Sequence, residues 1–254
     1  MWLGSRGNCS SCNFKQYQSV RLDQNKVIQV TDLGVMSYKD CWDYQTKIFD
    51  QIIATKRINR NNSRQIPTQN HLLWVEHPPV FTLGNSGNQS NMLIDEKGLK
   101  KNNIEFYKTN RGGDITFHGP GQLVCYPILD LDNFFTDIHK YLRLLEETVV
   151  LTLGEYGIEA ERSKGETGVW IAVGSPFARK ICAMGVRASR WVTMHGFALN
   201  VNTDLSYFDH IVPCGIQDKA VTSLHQELKK QVPIQDVKEK LSKHFQLLFN
   251  AQWS

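Results

Sequence analysis

Residues 111–131, RGGDITFHGPGQLVCYPILDL, constrain this chain more tightly than any other stretch. Gly112, Gly113, Gly119, Pro120 and Gly121 bracket a short run with the two-residue period of a strand. Asp114, Thr116 and His118 share one face of that run, and Ile115 and Phe117 share the other. Glycine lets a backbone approach a ligand closely and adopt positive φ, and proline fixes the turn that follows. A polar, histidine-bearing strand face between two glycine turns has the make-up of a binding-site wall. The same residues also suit a pair of tight turns in an ordinary sheet, with His118 a hydrogen-bonded wall residue, and residue types alone leave both readings open. Neither GxGxxG nor GxxxxGK[ST] occurs, so no nucleotide-type phosphate loop is expected.

Around this stretch, strand and helix periods alternate. Strand patterns fall at 27–30, 71–75, 104–108, 168–173, 180–187 and 191–201, with one more in EHPPVFTLG. Ser37 is placed to cap a helix over 38–56, with Trp42, Ile48 and Ile52 among its inward candidates. A second helix is expected over 135–156, with Ile138, Leu142, Leu145 and Val149 on one stripe and Gly157 as its stop. Pro233 opens a third, through Val237, Leu241, Phe245 and Leu248. Residues 57–70 and 203–216 read as loops. There is no internal repeat and no linker, so the pattern predicts a single α/β (α+β) domain over 26–254 on a mixed sheet. Residues 1–25 are polar and aperiodic, and read as a loose, dispensable extension.

Of the 254 residues, 41% are hydrophobic and 21% charged, the make-up of a globular domain. No apolar run approaches the ~20 residues of a membrane span, and the first residues lack the apolar core of a signal peptide. A cytoplasmic protein is therefore expected, with no membrane partner and its cysteines as thiols. Cys9 and Cys12 form a CxxC without a second pair, so no metal site is expected. The net charge of +4 comes without Lys/Arg blocks and gives no reason to expect a nucleic-acid partner.

Chemistry has few candidate carriers. Cys214 sits between proline and glycine in IVPCGI, a setting that can present a thiol at a cleft edge, although a buried inert cysteine is the ordinary alternative. Cys41, Cys125 and Cys182 lie in helical or apolar runs and read as packing residues. Lys180 opens the apolar run KICAMGV. It is either a solvated strand end or, drawn into a cleft, a cation able to lower the pKa of a thiol. His118 and His195 each precede a glycine and read as wall histidines or bases, and His77, before two prolines, reads as structural.

Three segments taken in order, EHPPVFTLG, RGGDITFHGPGQLVCYPILDL and ARKICAMGVRASRWVTMHGFALNVNTDLSYFDHIVPCGI, resemble the octanoyltransferase family of lipoate biosynthesis. The resemblance implies the mixed-sheet fold of biotin and lipoate protein ligase catalytic domains. It also implies transfer of an octanoyl group from acyl carrier protein to a lysine of a lipoyl domain, without a cofactor. The acceptors it implies are the lipoyl domains of 2-oxo acid dehydrogenase complexes and the glycine cleavage H protein. Carried onto this sequence, the family's nucleophile is Cys214 and its partner is Lys180. Substrate contacts fall on Arg111, Gly112, Gly113, Asp114, Ile115, Thr116, Phe117 and His118, on Ala183, Met184 and Gly185, and on Gly196, Phe197 and Ala198. Phe117, Met184, Val186 and Phe197 are the expected lining of an acyl slot, and Arg111, Arg179 and Arg187 the expected patch for an acidic carrier. Residues 1–25 and the long polar segment 59–68 depart from the family pattern. The alternatives are an ATP-dependent lipoate or biotin ligase, which would need no cysteine and carries an RRxxGGG stretch absent here, and a catalytically inert module that binds the carrier or lipoyl domain.

Overall fold

The computed structural model describes residues 24–62, 65–212 and 220–254. Strand β1 (Val27–Val35) leads into helix α1 (Tyr38–Asn62), then β2 (Asn70–Glu76) and β3 (Val80–Leu83). Helix α2 (Glu96–Lys101), β4 (Glu105–Lys108), β5 (Ile115–His118), β6 (Gln122–Ile128) and helix α3 (Ile138–Gly154) follow. The second half holds β7 (Val169–Ile171), β8 (Arg179–Ser189), β9 (Val192–Asn200), β10 (Ala220–Val221), α4 (Leu224–Leu228), α5 (Ile234–Phe249) and β11 (Gln252–Trp253).

The large sheet runs β10-β8-β9-β6-β2-β1-β11, with β7 on β8, and a small sheet runs β4-β3-β5. It is mixed, as expected: β1 pairs parallel with both β2 and β11, while β2, β6, β9 and β8 run antiparallel. Alternate residues of its central strands go to opposite layers. Leu72, Trp74, Leu123 and Cys125 join α3 and α5 on one face. Leu73, Val75, Val124 and Tyr126 join α1 on the other. Both faces are covered, which is why the central strands read as nearly continuous apolar runs.

Ser37 caps α1 as expected, its Oγ accepting from the Asp40 N–H (3.2 Å) while the Asp40 carboxylate accepts from the Ser37 hydroxyl (2.7 Å). The helix then runs to Asn62, so the first part of the expected loop 57–70 is helical. Its last turns are largely exposed, and a solvated helix carries no apolar stripe to read. Helix α3 starts at Ile138, three residues later than expected, where Asp137 accepts from the Lys140 N–H (2.9 Å). Cys41, Cys125 and Cys182 are buried free thiols, in agreement with their reading as packing residues. Among the described residues no helix is long and apolar enough to cross a membrane. No group of three or more His, Cys, Asp or Glu among them is placed to hold a metal.

Candidate active site

The glycine turn before β5 packs against β8 of the large sheet. Arg111 makes that turn rigid. Its guanidinium donates to the carbonyls of Gly112 (3.0 Å), Asp114 (2.8 Å) and Thr82 (2.6 Å), and to the Thr82 hydroxyl (2.9 Å). The Asp114 carboxylate accepts from the N–H groups of Asn88 and Ile115 and from the Asn91 amide. The Gly112 N–H donates to the Val186 carbonyl (2.9 Å) and pins the turn onto β8.

That approach requires glycine at Gly185, where an added Cβ would lie 2.6 Å from the Gly112 carbonyl. Gly196, paired with Gly185 across β8 and β9, is equally constrained, because its Cβ would collide with the Cys125 carbonyl. Here glycine serves close backbone approach.

His118 stacks on Tyr38 and ends a hydrogen-bonded relay. Gln122 Nε2 donates to the Phe117 carbonyl (3.1 Å) and to Asn200 Oδ1 (2.9 Å), which turns its Oε1 towards His118 Nδ1–H (2.7 Å). Asn200 donates to the Thr222 carbonyl (3.0 Å), and the Thr222 N–H donates to the Lys180 carbonyl (2.9 Å). Burial pushes the His118 imidazole down to about 3, so it is a neutral, hydrogen-bonded wall residue. His77 is structural, donating from Nδ1 to the Met36 carbonyl (2.8 Å) and accepting at Nε2 from the Tyr126 hydroxyl (2.9 Å). His195 adopts φ +58° within β9, and its N–H donates to Gln45 Oε1 on α1 (3.0 Å).

Lys180 is not a solvated strand end. It is 9% exposed, and its Nζ sits 4.5 Å from the centroid of the Trp170 ring on the neighbouring strand. A cavity of about 640 Å³ opens beside it, between the two sheets. Of the expected substrate contacts, Arg111, Gly112, Gly113, Asp114, Ile115, Thr116, His118, Ala183, Met184, Gly185, Gly196, Phe197 and Ala198 all line this cavity, as does Val186. Phe117 does not. It faces the other side of β5, stacked on Tyr207 and packed against Phe81 and Phe208, as the strand alternation itself implies.

The three arginines expected to meet an acidic carrier are engaged elsewhere. Arg111 is buried on its carbonyls, Arg179 forms a bidentate pair with Glu227 (2.6 Å for both bonds), and Arg187 lies 5.0 Å from the Phe49 ring centroid. Sequence reasoning did not find Thr82, Gln122, Asn200 or Trp170. A polar residue in an apolar strand run was the available signal for Gln122 and Asn200.

Cys214 lies outside the described residues, as do Cys9 and Cys12. The chain leaves the described structure at Val212, whose N–H donates to the Asn91 carbonyl (2.7 Å). It returns at Ala220, and the next residue, Val221, pairs with Lys180 and lines the cavity.

Residues 37–246 match the lipoyl protein ligase A/B catalytic domain. The octanoyltransferase of Christiangramia forsetii is 66% identical over 229 residues, 90% of this chain and 98% of that protein. The chain belongs to the octanoyltransferase family. Another octanoyltransferase, from Bacteroides thetaiotaomicron, is 48% identical over 88% of this chain and 96% of its own length. The fold recurs beyond the octanoyltransferases. A bi-partite lipoate protein ligase from Thermoplasma acidophilum superposes with a TM-score of 0.65 at 20% identity, covering 91% of this chain and 86% of its own. A lipoate-protein ligase A bound with ATP superposes with a TM-score of 0.64 at 18% identity, covering 91% and 87%. Octanoyltransferase membership makes this chain an acyltransferase of protein lipoylation.

Proposed function

We propose that the chain moves an octanoyl group from octanoyl-acyl carrier protein to a lysine of a lipoyl domain, through a thioester on Cys214 formed with Lys180. The observation that carries this reading is a buried lysine on the wall of a largely apolar cavity, in a chain 66% identical to an octanoyltransferase. An ammonium beside a thiol favours the thiolate by charge pairing. The thiolate attacks the donor thioester, the carrier sulfur leaves with the proton of the Lys180 ammonium, and the acyl group passes to Cys214 in a near-balanced exchange that leaves Lys180 as the amine. The amine form of Lys180 then takes a proton from the acceptor lysine as that amine attacks the enzyme thioester and the Cys214 sulfur leaves. Met184, Val186 and Phe197 supply apolar wall for the acyl chain, and the cavity-lining residues of the glycine turn and of β8 and β9 hold the substrate. The reaction takes place in the cytoplasm, and the acceptors are the lipoyl domains of 2-oxo acid dehydrogenase complexes and the H protein.

Incubation with octanoyl-carrier protein, without ATP, should add one octanoyl mass that hydroxylamine removes. Cys214→Ala should gain no mass, and if it does gain it the nucleophile is another residue. Octanoylation of an added lipoyl domain only with free octanoate and ATP, and no mass gained by the chain, would mark the chain as a ligase. Lys180→Ala should move alkylation of Cys214 by iodoacetamide to higher pH, and an unchanged profile would separate Lys180 from the thiol.

A further inference from the structure

We propose that Trp170 is a positioning residue for octanoyl transfer, its indole face holding the Lys180 ammonium at the cavity wall. The inference rests on the role given to Lys180 above. Trp170 and Lys180 face each other across β7 and β8, with Nζ 4.5 Å from the ring centroid. The indole is 2% exposed and the lysine 9%, so the contact is shielded from water, where a cation over an aromatic face is held most strongly.

The strand that carries the ring is fixed from behind. Trp170 and Glu161 exchange backbone hydrogen bonds (2.9 and 2.8 Å), which closes the loop that carries Gly165, Glu166 and Thr167 along the cavity. Gly168 adopts φ +119° and passes so close to β8 that an added Cβ would lie 2.5 Å from the Cys182 carbonyl. Its N–H donates to Glu146 Oε1 (3.0 Å), and Glu146 Oε2 accepts from Arg143 (2.7 Å) and Arg162 (3.2 Å). Glu146 is fully buried, so α3 sets the height of β7 and thereby the place of the indole beneath Lys180.

Among the described residues, the titratable groups on the elements around Lys180 include Cys182 two residues along β8, Glu146 behind Gly168, Glu166 of the cavity loop, and the Arg179–Glu227 pair on its flank. Each carries charge or a proton, but none can supply the attraction of an aromatic face, and the test isolates that attraction. Site-specific replacement of Trp170 by mono-, di- and trifluorotryptophan weakens the ring's negative face at nearly constant shape. With the full chain in a Cys214→Ala background, competitive acetylation with acetic anhydride, read by mass spectrometry, gives the pKa of Lys180 without any contribution from that thiol. The pKa should fall stepwise with fluorination, by roughly half to one pH unit over the series. Trp170→Phe should fall between native and Trp170→Leu. If Trp170→Leu does not fold, the fluorinated series decides alone. A flat series in folded protein overturns the assignment. A stepwise fall in a protein that forms no octanoyl-enzyme upholds the place of Trp170 and removes the transfer role of Lys180. An octanoyl-enzyme together with a flat series does the reverse.

Discussion

Three of the four buried histidines among the described residues, His77, His118 and His195, tie stability to pH most strongly. Burial pushes His77 down to about 4, and His118 and His195 down to about 3, from an unfolded value near 6.5. Below pH ~6.5 the unfolded chain binds protons that the fold refuses, so stability is complete above that value and is lost as pH falls to about 4 for His77 and about 3 for His118 and His195. Each histidine should contribute about 1.4 kcal/mol per pH unit across that window. Urea midpoints measured from pH 7 to pH 5 should drop steeply, and His118→Gln should flatten the slope; an unaltered slope would mean that His118 titrates normally. Arg111 makes a second test at this scale. One planar fork serves three carbonyls and a hydroxyl, a geometry lysine cannot reproduce. Arg111→Lys should keep the charge yet lose roughly 2–3 kcal/mol of stability. Near-native stability in Arg111→Lys would show that charge, not geometry, secures the turn.

Among the elements, the pair β8 and β9 depends on two glycines facing each other. Gly196→Ala sets a methyl group against the Cys125 carbonyl, which is backbone and cannot rotate aside. It should cost about 1–3 kcal/mol and show in the thermal midpoint, and a neutral result would mean that the strands can part. Sequence made the strands and long helices readable because their apolar periods are long. It hid β10, β11 and α4, which are two to five residues each and too short to show a period. It hid the end of α1 for the opposite reason, since that end is helical without burying a stripe. At the site, glycine and histidine marked the turn and the walls of the cavity. The partners of those residues lie far away in the chain: Gln122 reaches Asn200 78 residues on, and Gly168 reaches back 22 residues to Glu146. Such pairs have no local signature. Phe117 shows the reverse, a position whose strand face was readable and which was still expected in the acyl slot that this face turns away from.

At the scale of the whole molecule, the hydrogen bonds of the described residues begin at Asn25, one residue before the expected domain boundary. Asn25 bonds to Asn133 Oδ1 (3.2 Å), the Thr68 carbonyl (2.8 Å), the Asn70 amide (2.8 Å) and the Val27 N–H (3.1 Å). A shortened chain beginning at Gln24 should keep the thermal midpoint of the full chain. One beginning at Lys26 loses all four bonds and should lose about 2 kcal/mol, or some 4–8 °C in Tm. Equal midpoints for the two would mean that Asn25 is only a passenger.

The pairing of β1 with β11 sets a clock on synthesis. Val27 lies beside Gln252, 225 residues later in the chain, and Ile28 lies beside Trp253. A ribosome adding ~5–20 residues per second delivers that outer neighbour ~11–45 s after β1 emerges. Until then the start of that outer edge, at Lys26 to Ile28, offers its unsatisfied backbone groups to any other nascent strand nearby. β11 thus withdraws the start of β1 from circulation.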